Sequence, residues 1–340
     1  MKAVFFEKPG GLEVLKFGEL PTPEPQPGEA LVRVRACGLN RLDIWLRQDP
    51  ERITQIPLPH IPGSDVVGVI EEINGESPLS RGQEVVVNPA IPCGACSRCK
   101  QGGPCELVKI FGVKNQGGYA EYVTVPLTQL YPKPKNLSFI EAAGFPLTFL
   151  TAWHMLVGRA NLHPNETVFI WGASGGLGSS AIQVAKYLQA RVIAAVKSRA
   201  DVERLKSVGA DEVVVYTEGG VKEVVLNLTG GLGVDVVFES VGQATWSTSL
   251  GMLRPYGRVV IAGATSGDAG TQDLSDVYVR QLTILGARMG TRDEFETVLK
   301  LVAEGRIKPI IDKVFPLAEA ALAQQRMVEG NHIGKIVLET

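Results

Sequence analysis

The sequence predicts an α/β protein in which a β-rich domain precedes a doubly wound domain of parallel strands and crossover helices. Three observations support this fold class. Short β-branched runs punctuated by Gly and Pro fill the chain to about residue 137, strand-like and helix-like segments alternate from residue 138, and a glycine-rich turn joins one such strand to its helix. With 340 residues, 45% of them hydrophobic, the chain can bury more than one core.

The β-rich part is predicted from strand-like runs at residues 31–35, 66–73, 84–87 and 119–125. The doubly wound part is predicted from apolar strands at residues 168–171, 191–196, 213–216, 234–239, 258–262 and 282–285. Beyond them we expect helices at residues 291–304 and 317–328 and a closing strand at 335–339. We therefore place the doubly wound domain at residues 138–286 and a discontinuous β-rich domain at 1–137 and 287–340.

Charge and hydropathy exclude several classes of partner. The formal net charge is -2, from 34 Lys and Arg against 36 Asp and Glu, and no basic stripe is present. We therefore expect no nucleic-acid partner. The start of the chain lacks the pattern of a signal peptide, and we find no uncharged apolar stretch of about 18 residues, so we expect a cytoplasmic protein with no membrane contact.

The glycine-rich turn predicts a binding site for a dinucleotide. Gly175, Gly176 and Gly178 lie between the strand at 168–171 and a helix, where they permit a tight turn and a close approach of a pyrophosphate to the helix N-terminus. The other candidate contacts in the turn are Ala173, Ser174 and Leu177. The alternative is a glycine-rich connection without a ligand, which the repeating strand and helix pattern disfavours.

The residues after the second strand of this domain bear on the choice of nucleotide. Dinucleotide folds that bind NAD usually place an acidic residue there, whereas this chain has Val196 followed by Lys197, Ser198 and Arg199. Two cations and a hydroxyl suit a 2′-phosphate, so NADP(H) is preferred and NAD(H) is possible. Alternatively, these residues form only a solvated turn.

Four of the five cysteines predict a metal site. Cys93, Cys96, Cys99 and Cys105 follow the spacing C-x2-C-x2-C-x5-C in a loop rich in Gly and Pro, which we place at residues 89–112. Four thiolates suit one tetrahedral zinc ion, and such a site has no open position for catalysis. An iron–sulfur cluster and reduced thiols are the alternatives. The fifth cysteine, Cys37, is expected to be a small buried residue.

The chain resembles the medium-chain dehydrogenase/reductase superfamily, which includes zinc alcohol dehydrogenases and quinone oxidoreductases. The resemblance rests on MKAVFFEKPGGLEVL, CGLNRLD, HIPGSDVVGVI, the cysteine loop, GGYAEYVTVP, EAAGFPLTFLTAW, GASGGLG and IGKIVLE. It implies a GroES-like catalytic domain and a Rossmann cofactor domain. It also implies that the cysteine loop is the family's structural zinc lobe, with five residues instead of seven before the last cysteine.

The resemblance further implies that a catalytic zinc is absent. Zinc alcohol dehydrogenases of this superfamily use a Cys in a CG motif, a His-Glu pair and a later Cys or Asp. Here those places hold Cys37, the pair Ser64 and Asp65, and Leu147 or a neighbour. Serine and leucine cannot replace imidazole and thiolate as zinc ligands. The segment GLNRLD instead resembles the zinc-independent quinone oxidoreductase branch, where the residue matching Asn40 lies near the nicotinamide.

Asn40 and Ser64 are therefore our candidate catalytic hydrogen-bond donors, although each could equally satisfy local backbone. Asp65 is expected to pair with an Arg or a backbone group. Further cofactor contacts are predicted at strand ends or family positions: Thr151, Tyr216, Ser240, Val241, Gly242, Gly263 and Ala264.

These features predict an NAD(P)H-dependent enzyme that reduces quinones or α,β-unsaturated carbonyls by hydride transfer without catalytic zinc. An alcohol dehydrogenase with a degenerate metal site is one alternative, and a protein that holds NADPH without turnover is another. The expected partners are a small carbonyl, quinone or alkene substrate and further copies of the chain, in a homodimer or homotetramer.

Overall fold

The computed structural model describes residues 1–49, 56–101 and 103–340. They form two compact units. We call the first the β unit, which contains Met1–Leu147, Thr291–Gly305 and Pro309–Thr340, and the second the α/β unit, which contains Thr148–Gly290 and Arg306–Lys308. These units end near Leu147 and Gly290, whereas the domain boundaries predicted from the sequence follow residues 137 and 286.

The strands, in chain order, are β1 (Lys2–Phe5), β2 (Lys16–Glu19), β3 (Glu29–Gly38), β4 (Asp65–Asn74), β5 (Glu84–Val87), β6 (Ala90–Ile91), β7 (Lys109–Ile110), β8 (Tyr122–Pro126), β9 (Leu130–Pro132), β10 (Thr167–Ile170), β11 (Arg191–Val196), β12 (Glu212–Val215), β13 (Val234–Glu239), β14 (Leu253–Ile261), β15 (Thr283–Gly286), β16 (Ile311–Pro316) and β17 (Lys335–Glu339).

The α-helices are α1 (Arg41–Gln48), α2 (Ser97–Lys100), α3 (Phe139–Ala142), α4 (Pro146–Trp153), α5 (Gly176–Tyr187), α6 (Val202–Val208), α7 (Val221–Leu228), α8 (Trp246–Gly251), α9 (Leu274–Val279), α10 (Arg292–Ala303) and α11 (Ala320–Glu329). A π-helix, His154–Arg159, continues α4. Short 3₁₀ turns occupy Leu12–Val14, Leu127–Gln129, Arg199–Asp201, Tyr216–Glu218 and Leu317–Glu319. The helix expected at residues 317–328 is therefore a 3₁₀ turn followed by α11.

The β unit is built around a seven-stranded sheet in the order β16, β17, β3, β4, β5 and β9, with β8 also paired to β3. Strand β3 lies at its centre, where it pairs with β17, β4 and β8. Residues 32–36 of β3 alternate between buried Val or Ala and exposed Arg, as a strand with one covered face requires. The antiparallel register of β3 sets Cys37 opposite Val66 on β4 and opposite Leu338 on β17, and Gly38 opposite Asp65. The sheet thus brings the start of β4 and strand β17 to the same end of β3, on its two sides.

The α/β unit contains a parallel sheet in the order β12, β11, β10, β13, β14 and β15. Strands β11 and β13 are buried nearly throughout, which explains why their sequences are continuous apolar runs. The direction of the strand order reverses between β10 and β13, and a ligand binds beyond the carboxyl ends of the strands at such a point. The predicted architecture, a β-rich domain and a doubly wound domain with a parallel sheet, is confirmed.

The helical stretch Phe139–Arg159 is long and apolar enough to cross a membrane by length and composition alone. Of the tested 18-residue window, 72% is buried inside the protein. That degree of burial is expected of a helix that belongs to a protein core.

Candidate functional site

The glycine-rich turn lies between β10 and α5. Gly172 adopts a φ of 60°, Gly175 is the N-cap residue of α5, and a Cβ placed on Gly178 would lie 2.3 Å from the carbonyl oxygen of Gly172. Only glycine therefore fits at position 178 without moving the turn. The predicted contacts Ala173, Ser174, Gly176 and Leu177 complete the turn.

The first turn of α5 presents backbone donors to an anion. The N–H group of Ser179 makes an intrahelical bond to the carbonyl oxygen of Gly175 at 2.9 Å, and the N–H groups that precede it have no carbonyl of the helix to bind. A pyrophosphate fits this arrangement of donors at a helix N-terminus. Gly172, whose left-handed φ makes the turn possible, was not predicted as a contact, because the first glycine of a G-x-G-x-x-G pattern that ends at Gly178 would fall at residue 173, which is alanine.

A buried carboxylate shapes the loop after β13. Glu239 is fully buried and accepts hydrogen bonds from the backbone N–H of Val241 at 2.7 Å and of Gly242 at 3.1 Å. The hydroxyls of Thr245 and Ser249 donate to its other oxygen at 2.9 and 2.5 Å. Four donors therefore hold this carboxylate without a cation, and it fixes the loop that contains three predicted cofactor contacts.

The same loop lies against the end of β14. Gly242 has a φ of 90°, and a Cβ on it would lie 2.9 Å from the Cα of Ala264. The hydroxyl of Thr265 donates to the carbonyl oxygen of Ser240 at 3.5 Å. The structure thus brings together Ser240, Gly242, Gly263 and Ala264 at the carboxyl edge of the sheet. Sequence analysis missed Glu239, although a charged residue that ends an otherwise apolar strand is an unusual feature.

The basic segment after β11 is tied to the end of β12. The hydroxyl of Thr217 donates to the carbonyl oxygen of Lys197 at 2.8 Å. The hydroxyl of Ser198 accepts from the N–H of Ala200 at 3.2 Å, and the guanidinium of Arg199 bonds to the carboxylate of Glu218.

Two further predicted contacts belong to the α/β unit. The ring of Tyr216 meets that of Trp171 edge-on with a centroid distance of 6.1 Å, and 39% of Tyr216 is exposed, so one side of its ring can contact a ligand. Thr151 is buried, and its hydroxyl oxygen has no hydrogen-bond partner in the described part of the chain. An orphaned buried hydroxyl of this kind is available to a bound molecule.

The cysteine lobe is formed in the β unit. The sulfur atoms of Cys93, Cys96, Cys99 and Cys105 all lie within 4.8 Å of one another, and the pairing of β6 with β7 closes the base of the loop. Backbone N–H groups point at these sulfurs, from Cys93 to Cys105 at 3.2 Å and from Cys99 to Cys96 at 3.4 Å.

Bonds from the N–H groups of Ala95 and Cys96 lower the pKa of Cys93 to about 6, whereas burial raises the pKa of Cys99 to about 12. The donor set fits a tetrahedral zinc ion. Among residues 1–49, 56–101 and 103–340, no other group of three or more His, Cys, Asp or Glu ligands converges in this way.

A buried lysine pairs with Asp65, one of the residues that the resemblance compares with a catalytic metal ligand. The ammonium of Lys335 on β17 donates to the carboxylate of Asp65 at 2.7 Å, to the side-chain oxygen of Asn40 at 2.8 Å and to the carbonyl oxygen of Leu39 at 2.5 Å. The side chains of Lys335 and Asp65 are 4% and 0% exposed. The N–H of Leu147 also donates to Asp65, at 2.7 Å. The carboxylate is thus paired with a cation and a backbone group, and the cation is lysine where sequence analysis expected arginine.

The residues beside Asp65, Cys37 and Ser64, are unsuited to bind a metal ion. Burial raises the pKa of the Cys37 thiol well above its ordinary value, so this sulfur is a neutral thiol. The hydroxyl of Ser64 is fully buried and has no hydrogen-bond partner in the part of the chain that the structure describes. Among the described residues, no imidazole and no carboxylate other than that of Asp65 accepts a hydrogen bond from Lys335.

The two candidate catalytic donors differ in their availability. The amide nitrogen of Asn40 donates to Asp65 at 2.9 Å and to the carbonyl oxygen of Gly38 at 3.4 Å, and its oxygen accepts from Lys335. Asn40 also begins α1, where its N–H donates to Asp43 at 2.9 Å. Its amide is therefore committed to the buried network, whereas the hydroxyl of Ser64 is uncommitted.

A second buried carboxyl lies beside this network. Burial raises the pKa of Asp43 to about 6, although the N–H of Asn40 and the hydroxyl of Tyr119, 2.9 Å away, both donate to it. The β unit therefore encloses two carboxyl groups around one ammonium group.

Segments of both units match known protein families. The family described as alcohol dehydrogenase GroES-like domain matches residues 26–135, and the family described as zinc-binding dehydrogenase matches residues 176–304. An NAD-dependent alcohol dehydrogenase of Sulfolobus acidocaldarius is 33% identical over 100% of this chain and 99% of its own length. A quinone oxidoreductase of Pongo abelii is 28% identical over 99% and 97%. A solved structure of an NAD-dependent alcohol dehydrogenase has a TM-score of 0.94 and 42% identity and covers all of both chains.

Proposed function

Since the chain belongs to the medium-chain dehydrogenase/reductase superfamily of NAD(P)-dependent oxidoreductases, we propose that it reduces quinones or α,β-unsaturated carbonyls by hydride transfer without a catalytic zinc. One observation carries this proposal: the carboxylate of Asp65 is already paired with the ammonium of Lys335, and the neighbouring Cys37 is a neutral thiol, so these residues offer no ligand set for a catalytic zinc. Oxidation of an unactivated alcohol requires a metal that acidifies the hydroxyl, whereas reduction of an activated alkene does not.

Ser64 is the proposed donor to the substrate. NAD(P)H, held at the turn of Gly175, Gly176 and Gly178, would supply a hydride to the electrophilic carbon, and negative charge would then develop on the carbonyl oxygen. The buried hydroxyl of Ser64 donates a hydrogen bond to this oxygen as its negative charge develops, and water then provides the proton. Asn40 and Lys335 are positioning residues, because they hold Asp65 and the segment that precedes α1.

Kinetics of a Ser64→Ala variant test this role. We expect kcat/KM for an enone to fall about 100-fold, since a donor aimed at a developing oxyanion contributes on that scale. The matched control is Ser80→Ala, an exposed serine of the same unit, which leaves the rate unchanged. An unchanged rate in Ser64→Ala would remove this residue from the mechanism.

An alcohol dehydrogenase activity is the second candidate, and the 42% identity to a protein of that name favours it. Zinc determination on the purified protein separates the two. About one zinc per chain, lost on mutation of the lobe cysteines, supports a reductase with one structural metal, whereas about two supports an alcohol dehydrogenase. Rapid reduction of NAD⁺ by simple alcohols would overturn our proposal.

We infer that the cofactor is NADP(H) in preference to NAD(H), and that the metal is one structural zinc in the lobe of Cys93, Cys96, Cys99 and Cys105. The two cations and the hydroxyl at residues 197–199 support the first inference, and the four converging sulfurs support the second. Oxidation rates of NADPH and NADH with p-benzoquinone, an enone and an aldehyde test the preference.

We also propose that the chain forms a homodimer through the edge of the parallel sheet. Strand β15 is the last strand of that sheet, and Ile284 on it is 47% exposed. Helix α9, which precedes β15 in the chain, exposes 77% of Leu274 and 70% of Tyr278, and its Asp276 pairs internally with Arg280. An uncharged edge strand with apolar neighbours favours pairing with its own copy.

Sedimentation velocity of Ile284→Lys tests the dimer. We expect the variant to sediment as a monomer, while Leu322→Lys, at a 53% exposed position of the β unit, keeps the state of the wild type. An Ile284→Lys protein that remains dimeric would contradict this interface.

A further inference from the structure

We propose that the ion pair of Arg199 and Glu218 sets the relative affinity of the site for NADP(H) and NAD(H). In this proposal Arg199 binds the 2′-phosphate, and Glu218 competes with that phosphate for the same guanidinium group. The inference rests on the dinucleotide site proposed above and adds a residue, Glu218, that opposes the preference the basic segment creates.

The pair joins the ends of two neighbouring strands. Arg199 follows β11, Glu218 follows β12, and the strands are paired in parallel with Val196 opposite Val215. The Nε of Arg199 lies 3.1 Å from one carboxylate oxygen of Glu218, and its Nη2 lies 2.7 Å from the other. The contact is bidentate, which is the geometry that a guanidinium also uses for a phosphate.

These positions lie where the adenosine ribose of a dinucleotide is recognised. In doubly wound folds the residue at the end of the second strand distinguishes the bare diol from the 2′-phosphate. Here β10 precedes the glycine-rich turn and β11 is the second strand, so Arg199 lies in the segment that makes this distinction. The bond between Thr217 and the carbonyl oxygen of Lys197, 2.8 Å long, holds the two strand ends together and keeps Glu218 beside that segment.

The carboxylate weakens phosphate binding in two ways. It occupies one edge of the guanidinium, and its negative charge repels a phosphate that arrives at the same group. Both partners are solvated, with side-chain exposures of 78% for Arg199 and 50% for Glu218. Water and salt therefore screen the pair, so that a phosphate can displace Glu218, and the penalty amounts to a factor of several rather than a block.

Calorimetric titration of the full chain with 2′,5′-ADP and with 5′-AMP tests the proposal without any turnover. For Glu218→Gln we expect 2′,5′-ADP to bind about 5-fold tighter, on the scale of one exposed ion pair, while 5′-AMP changes less than twofold. For Arg199→Ala we expect the advantage of 2′,5′-ADP over 5′-AMP to fall about 10-fold, since a charge-assisted contact is lost. The gain in Glu218→Gln should shrink in high salt.

The matched control is Glu203→Gln on α6, which breaks another exposed pair, with Lys206 at 3.3 Å, and should leave both affinities unchanged. The outcomes separate this inference from the proposed function. If both nucleotides bind but Glu218→Gln leaves their affinity ratio unchanged or lowers it, the role of Glu218 is refuted while the dinucleotide site stands. If neither nucleotide binds to wild type or variants, both proposals fail.

Discussion

Replacement of Lys335 by methionine should lower the free energy of unfolding of the β unit far more than replacement of an exposed lysine does. The change removes the ammonium group that Asp65, Asn40 and Leu39 share, and it leaves the carboxylate of Asp65 fully buried without its cation. Breaking a buried pair on one side costs about 3–5 kcal/mol, because the remaining charge loses its partner and cannot reach water. The donors that remain, Asn40 and the N–H of Leu147, place the expected loss at the lower end of that range.

A double-mutant cycle measures the interaction energy between Asp65 and Lys335. Asp65→Asn combined with Lys335→Met leaves no buried charge at this position, so the double variant should be more stable than the sum of the single losses predicts, by about 2 kcal/mol. Amide hydrogen exchange of β3 and β17 measures this free energy in the β unit alone. Lys16→Met, which breaks the exposed pair with Glu7, is the control and should cost about 0–1 kcal/mol.

Two results would refute the account of this pair. The first is a loss below 1 kcal/mol in Lys335→Met, which would mean that water reaches Asp65 in the variant. The second is simple additivity in the double variant, which would mean that the two side chains do not interact.

Three further predictions concern the lobe, the turn and the pH dependence of stability. Cys93→Ser should lower bound zinc, measured by mass spectrometry, from about one ion per chain towards zero and lower the melting temperature, because a tetrahedral site needs all four ligands. Gly178→Ala should abolish NADPH binding measured by fluorescence, because its Cβ would lie 2.3 Å from a backbone oxygen, and Gly286→Ala, where a Cβ meets nothing within 4 Å, is the control. Asp43→Asn removes a carboxyl whose folded-state pKa is raised to about 6, and whose contribution to stability is present below pH 4 and lost as the pH rises through 6. The variant should therefore gain stability relative to wild type between pH 4 and 6, by up to about 3 kcal/mol in urea titrations, and a constant difference would contradict the raised pKa.

The strands of the α/β unit could be predicted because buried parallel strands have sequences that are continuous runs of β-branched residues. Residues 191–196 and 234–239 were expected as strands and form β11 and β13 with the same bounds. The expected start of β14 at residue 258 was late, since the strand begins at Leu253. Tyr256 within it has a φ of 63°, and Pro255 and Gly257 beside it obscure the strand pattern.

The cluster around Asp65 could be predicted only in part. Cys37, Ser64 and Asp65 were recognised as altered metal positions because the resemblance to zinc alcohol dehydrogenases aligns them with that family's ligands. It did not identify Lys335, which lies 270 residues from its partner and meets it only through the pairing of β3 with β4 and β17. Lys335 opens the closing strand KIVLE and Glu339 ends it, and since a charged residue at a strand end is usually solvated, no pattern indicated the buried partner of Lys335.

The position of β17 has a consequence for the order in which the two units fold during synthesis. The β unit takes β17 between β16 and β3, so its sheet stays incomplete until the ribosome has released residues near 339, whereas nearly all of the α/β unit is one continuous stretch, Thr148–Gly290. During synthesis the parallel sheet can therefore fold while β3 still has an unpaired edge. Loss of even the last six residues, by truncation or proteolysis, would leave the interior around residue 65 without its compensating charge.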